Sequence, residues 1–124
     1  MTVRECYEIA LSFLPEKPED NPDMQRFMVA WCNVLLGEML GYENTYRRAN
    51  KLSEVVALPV LMEKDEVIPY NENLVRAAFP YGMARWMFRE NEDIAGSHEY
   101  YNLYIVAARE ATPIFEEEVR DAYA

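Results

Sequence analysis

The chain carries one histidine in 124 residues, and that scarcity alone removes several chemistries. A carboxylate-bridged di-iron bundle needs two Glu-x-x-His units, and a histidine-rich zinc site needs more than one imidazole, so His98 supports neither. A Ser–His–Asp triad would have to be built on His98, whose chain neighbours are Ser97 and Glu99, and adjacent residues of a helix point to different faces. His98 therefore reads as a helix-surface residue. Cysteine is nearly as scarce. Cys6 and Cys32 lie on separate expected helices with no C-x-x-C spacing, which reads as two buried, reduced thiols rather than a metal or redox pair. Glycine is present at four positions only, and no Gly-rich phosphate loop, nucleophile elbow or EF-hand pattern occurs. No apolar run approaches the ~18–20 residues of a membrane span. Met1 to Glu5 lacks the basic region and apolar core of a signal peptide, so a cytoplasm is the expected compartment before any assembly. Positive charge is in deficit: 12 Lys and Arg face 22 Asp and Glu, for a net charge of −10. A nucleic-acid binder draws most of its affinity from cationic contacts to phosphates, so no stable DNA or RNA binding is expected. No catalytic, cofactor-binding or metal-ligating residue emerges, and the expectation is a protein with no enzymatic activity, no cofactor and no metal.

What is present is apolar and aromatic. Apolar residues make up 51% of the chain and aromatics 13%, enough for one ordinary core, so residues 1–124 read as a single helical domain. Thr2-Val3-Arg4-Glu5 is a capping box, followed by a helical stripe of Cys6, Tyr7, Ala10, Leu11 and Leu14 that Pro15 and Pro18 stop. Asn21-Pro22 opens the longest expected helix. Its apolar positions run from Met24 through Phe27, Met28, Trp31, Leu35, Met39 and Tyr42 to Tyr46, with Gly37 and Gly41 placed where a neighbouring helix approaches. Arg47 and Arg48 complement the dipole at its end.

Residues 53–69 change character. Ser53 to Met62 is β-branched and apolar, Glu63 to Glu66 is charged, and Val67-Ile68-Pro69 is apolar again. The pattern predicts a short extended ribbon around a turn, with Pro59 confining any strand to an edge. A ribbon of two strands is marginal alone, so this one lies on the helices or meets another chain. Asn71 then caps a third helix to Arg89, with Pro80 and Gly82 at its centre. A mid-helix proline costs ~3 kcal/mol and a glycine ~1 kcal/mol, which predicts a kink or break near Pro80. A fourth helix spans about Glu92 to Ala111. Ile94, Tyr101, Ala108 and Phe115 recur every seven residues, interleaved with His98, Ile105 and Thr112, which predicts a packing seam. An acidic extension, Glu116 to Ala124, follows. The fold class is thus all-α: a four-helix, bundle-like domain with a short extended ribbon or loop at 53–69.

The acidic clusters at Glu63–Glu66, Glu90–Asp93 and Glu116–Glu118 read as solvated loops and helix ends. The aromatic set Trp31, Phe79, Trp86, Phe88, Tyr100, Tyr101 and Tyr104 reads as core. Arg85 and Arg89, one turn apart, form a candidate positive patch that either meets acidic loops of a neighbouring chain or pairs within this one.

The second half of the chain resembles the head–tail adaptor, or head-completion, proteins of tailed phages. The resemblance rests on four pieces in order: Ile68-Pro69-Tyr70, Phe79-Pro80-Tyr81-Gly82-Met83-Ala84, the acidic break Glu90 to Asp93, and Tyr100-Tyr101-Asn102-Leu103-Tyr104. The first half matches in helical outline only. The resemblance implies a helical bundle with a projecting loop, without enzymatic activity. It further implies a homo-oligomeric ring in the virion neck, partnered by the portal protein on one side and a tail-side neck or tail-completion protein on the other. The candidate subunit interface is the apolar segment with Val55, Val56, Leu58, Val60 and Leu61, together with Arg85 and Arg89. A second reading of a different class is a small acidic helical inhibitor that mimics nucleic acid. The net charge favours it, but a mimic spaces its carboxylates along one exposed face, whereas these cluster in loops and at element ends.

Overall fold

A computed structural model describes residues 1–15 and 22–112. Among them the only regular elements are helical, with no strand: α1 (Val3–Leu11), a 3-10 turn (Pro22–Phe27), α2 (Met28–Glu38), α3 (Leu40–Ala49), α4 (Glu72–Glu90) and α5 (Ile94–Ala111). Local chemistry explains most of the boundaries. Thr2 and Glu5 form the expected capping box at the start of α1. The next donors of that first turn are met from afar: Val3 N–H donates to the Glu66 carbonyl at 3.1 Å and Arg4 N–H to the Lys64 carbonyl at 2.9 Å. Asn71 caps α4 by accepting from Leu74 N–H at 3.0 Å.

The long second helix is not one helix. Its first turns are 3-10, and the α-helix is interrupted at Met39 (φ −96°, ψ 3°), between Gly37 and Gly41. Neither glycine admits a neighbouring helix. A Cβ on Gly37 would meet only a Leu58 methyl at 3.7 Å, and one on Gly41 would meet nothing within 4 Å. The two residues weaken the helix, and the chain turns there without losing its apolar stripe. The expected cap Asn21 lies outside the described residues, as do Phe115 and the acidic extension.

The α4 helix runs unbroken through Pro80 and Gly82, so no break occurs near Pro80. Burial supplies the reason. Leu74, Val75, Ala78, Phe79, Pro80, Met83, Ala84, Met87 and Phe88 are all buried, covering α4 nearly all round, and α1, α2 and α5 pack against it. Gly82 is required by that crowding: an added Cβ would lie 2.8 Å from Leu35 Cδ2 and 2.8 Å from Tyr104 Cε1. The side chains of Leu35 on α2 and Tyr104 on α5 lie directly against the α4 backbone there, leaving no room for a side chain at position 82. Both α3 and α4 end in Schellman motifs whose left-handed residue is not glycine. Leu52 N–H reaches the Arg47 carbonyl and Lys51 N–H the Arg48 carbonyl; Asp93 and Glu92 do the same on Phe88 and Arg89. Lys51 and Glu92 accordingly hold φ at 56° and 61°.

The α5 seam is rotated from the expected one. Ser97, Tyr104 and Ala108 are buried and Tyr100 partly so, whereas Ile94 and Tyr101 face outward. Phe13, Tyr81, Tyr100 and Phe88 form a continuous run of ring contacts joining the end of α1 to the α4–α5 hairpin. One hydrophobic core unites all of these elements.

Candidate functional site

The segment between α3 and α4 is the feature that departs most from an ordinary bundle. It does not form the expected two-stranded ribbon. Its ladder is supplied instead by two asparagine side chains. Asn44 on α3 accepts from Val55 N–H at 2.7 Å and donates to the Val55 carbonyl at 3.2 Å. Asn33 on α2 does the same with Leu61, at 2.8 Å and 2.9 Å. Each primary amide presents one acceptor and one donor in a plane, so it satisfies both backbone groups of a single extended residue. Arg47 donates to the Ser53 carbonyl and Arg48 pairs with Glu54, which fixes the start of the segment. Glu66 accepts from Met62 and Glu63 N–H to close the turn, and Ile68 N–H donates to the Met1 carbonyl. The only strand-like pairing among the described residues is an isolated antiparallel bridge between Thr2 and Val67.

This anchoring displays apolar side chains to solvent. Val56 is 96% exposed, Val60 68% and Met62 76%, with Leu58 and Leu52 also exposed. Val55 is half-buried. Leu61 departs from the sequence expectation, because Asn33 turns it inward and it is 4% exposed, a core residue. The exposed face is therefore Val56, Leu58, Val60 and Met62.

The α3–α4 junction beneath this segment is held by a buried carboxylate. Glu43 is 1% exposed. It accepts from Asn71 N–H at 3.1 Å on each oxygen, from Asn71 Nδ2 at 2.9 Å, and from Arg47 Nε at 3.2 Å. Asn71 in turn caps α4, so one carboxylate orients the residue that starts the central helix. Beside it, Tyr70 donates its hydroxyl to the Leu36 carbonyl at 2.6 Å. Burial, reinforced by the Glu43 charge, pushes that phenol up to about 12.

Arg85 and Arg89 do not form an open positive patch. Arg85 is buried and clasps Glu38 with two bonds, 2.7 Å and 3.1 Å, the geometry of a fork on a carboxylate. Its guanidinium lies over Trp86, Tyr101 and Tyr104. Tyr104 donates weakly to the same Glu38 at 3.4 Å, and burial, then the Glu38 charge, raises its phenol far above the usual range. Arg89 is exposed and stacks on Trp86 at 5.5 Å. Of the aromatic set, Phe79, Phe88, Trp31 and Tyr104 are buried core, while Tyr101 faces out. Cys6 and Cys32 are buried free thiols, and burial raises both, Cys32 to about 12. His98 is exposed on α5.

Among the described residues no group of His, Cys, Asp and Glu could hold a metal ion, and no helix is long and apolar enough to cross a membrane. Comparison with known protein families, curated proteins and solved structures finds no match.

Proposed function

We propose that this chain is a structural subunit of a tailed-phage neck, a head–tail adaptor assembling as a homo-oligomeric ring between the portal protein and a tail-side completion protein. The order of sequence pieces from Ile68 to Tyr104 supports this reading, as does the all-α bundle. One observation carries it furthest: Val56, Leu58 and Val60 are exposed on a segment that Asn44 and Asn33 fix to the bundle. An apolar face held in one shape loses little entropy on docking, so a contact there stabilises more per unit area than a floppy loop would. A ring requires a heterologous contact, one surface meeting a different surface of the next copy, and the segment supplies one half of it. The net charge of −10 per chain keeps duplex DNA from adhering as it passes. Before assembly the subunit resides in the host cytoplasm and afterwards in the virion neck.

The test is mass photometry across a concentration series on the wild type, Val56→Lys and Val60→Lys. The expected result is a discrete closed oligomer for the wild type and a shift towards monomer for both variants, with unchanged far-UV circular dichroism. A wild type that stays monomeric at every concentration, alone and with a portal protein present, overturns the proposal. Variants that lose their helical signal would place these residues in the core and remove the segment from the interface.

A further inference from the structure

A second feature lies on the α4–α5 hairpin. Arg85 and Arg89 of α4 and Ile94, Ser97, His98 and Tyr101 of α5 line a pocket of about 440 Å³. Its size falls in the range of small-molecule sites. Its chemistry is unlike the rest of this acidic surface. The pocket wall carries the exposed Arg89 guanidinium, an imidazole and the Arg85 side chain that Glu38 already pairs, and no carboxylate is among its lining residues. Both Arg85 terminal nitrogens are held by Glu38, but its Nε–H is buried and has no acceptor in the protein. Arg89 makes no ion pair among the described residues, and Trp86 holds its guanidinium beside the pocket. Ser97 adds a buried hydroxyl and His98 a ring nitrogen. Opposite these, Ile94 and the Tyr101 ring give apolar walls.

From these groups we infer that the pocket binds a carboxylate carried on an apolar or aromatic stem. The carboxylate takes the exposed Arg89 guanidinium, with the Ser97 and His98 side chains beside it, and the stem lies against Ile94 and Tyr101. A neutral amide of the same shape offers a weaker acceptor and brings an N–H₂ against cationic donors, so it is discriminated against. The inference does not depend on ring assembly.

Trp86 touches both arginines and supplies the signal. The full chain with Trp31→Phe, its fold checked by circular dichroism, is titrated with phenylacetate and in parallel with phenylacetamide, and binding is located by amide chemical shifts. The expected result is saturable millimolar binding of phenylacetate, little of the amide, and shifts centred on Ser97, His98 and Tyr101. Arg89→Ala, an exposed position, should weaken phenylacetate about tenfold, the worth of a charge-assisted hydrogen bond. Ile94→Asp should abolish it by repulsion. If phenylacetate also disperses an oligomer, the natural carboxylate is an acidic side chain of a second copy; if it binds and leaves the mass unchanged, it is a free organic acid. No saturable response, equal affinity for the amide, shifts centred elsewhere, or an Arg89→Ala variant that binds as the wild type does would each overturn the inference.

Discussion

Replacing Glu43 should cost more stability than any other single charge removal in this protein. Its carboxylate is inaccessible to water and accepts from the Asn71 backbone, the Asn71 amide and Arg47. Glu43→Ala deletes the acceptor and leaves the Asn71 donors stranded. Unmade bonds of this kind cost about 1–3 kcal/mol each, and removing one partner of a buried charged network costs about 3–5 kcal/mol. Arg47 is partly solvated and recovers water, so its share is small. The expected loss is therefore about 3–4 kcal/mol, read as a fall in the urea midpoint at constant m-value. Glu43→Gln keeps volume and one carbonyl acceptor and should lose about half as much. A double-mutant cycle with Asn71→Ala isolates the pair. If the reasoning holds, Glu43→Ala in the Asn71→Ala background costs at least 1 kcal/mol less than it does alone, an interaction of the size expected for groups in one network (about 0.5–3 kcal/mol). A Glu43→Ala loss under about 1 kcal/mol, or full additivity with Asn71→Ala, would refute the assignment of Glu43 as the anchor of α4.

Gly82→Ala should destabilise, although glycine-to-alanine in a helix ordinarily gains about 1 kcal/mol. The new methyl would sit 2.8 Å from both Leu35 and Tyr104, and overpacking of this sort costs about 1–3 kcal/mol, so a higher melting temperature would contradict the close approach of α2, α4 and α5. Alkaline pH should unfold the protein. Cys32 and Tyr104 are fully buried with raised folded-state values, so both stay protonated when folded while the unfolded chain ionises from 9.0 and 10.0 upward. Stability is thus complete below about pH 9 and falls by about 1.4 kcal/mol per pH unit for each ionising group above that. Tyr104→Phe should move the alkaline midpoint of the far-UV signal upward, and an unmoved midpoint would remove Tyr104 from the transition.

What could be read from the sequence was what is decided locally. The Thr2 capping box and the Asn71 cap are fixed by side chains bonding within one turn, so their residues announce them. The all-α class followed from apolar spacing over long stretches. The misread elements are those where distant packing decides. A stripe from Met24 to Tyr46 looks like one helix because its apolar residues keep helical spacing across Met39, yet beyond that interruption α3 buries only Glu43. Ile94 and Tyr101 outrank Ser97 in hydrophobicity, so the pattern drew the α5 seam through them. The core keeps the expected Ala108 but takes the small Ser97 and Tyr104 in place of Ile94 and Tyr101, with Tyr104 against the α4 backbone at Gly82. Pro80 was expected to kink or break α4; the helix is unbroken there, because surrounding helices bury that turn and offset the lost backbone bond.

Glu43, Asn33 and Asn44 gave no signal, because in sequence they look like any polar residue of a helix surface. All three bond into the 55–71 stretch, and Glu43 alone also pairs with a residue of its own helix, Arg47. The resulting arrangement explains how the segment is held in place without being a strand. Two side-chain amides and a carboxylate replace the partner strand, and each belongs to a helix already fixed by the core. No strand forms at 53–69 among the described residues, and the segment lies on α2 and α3 through Asn33 and Asn44. The physical consequence is directional: Leu61 is drawn inward by Asn33 while Val56 and Val60 are left outside, so the same anchoring that stabilises the monomer selects which apolar side chains remain available to another chain.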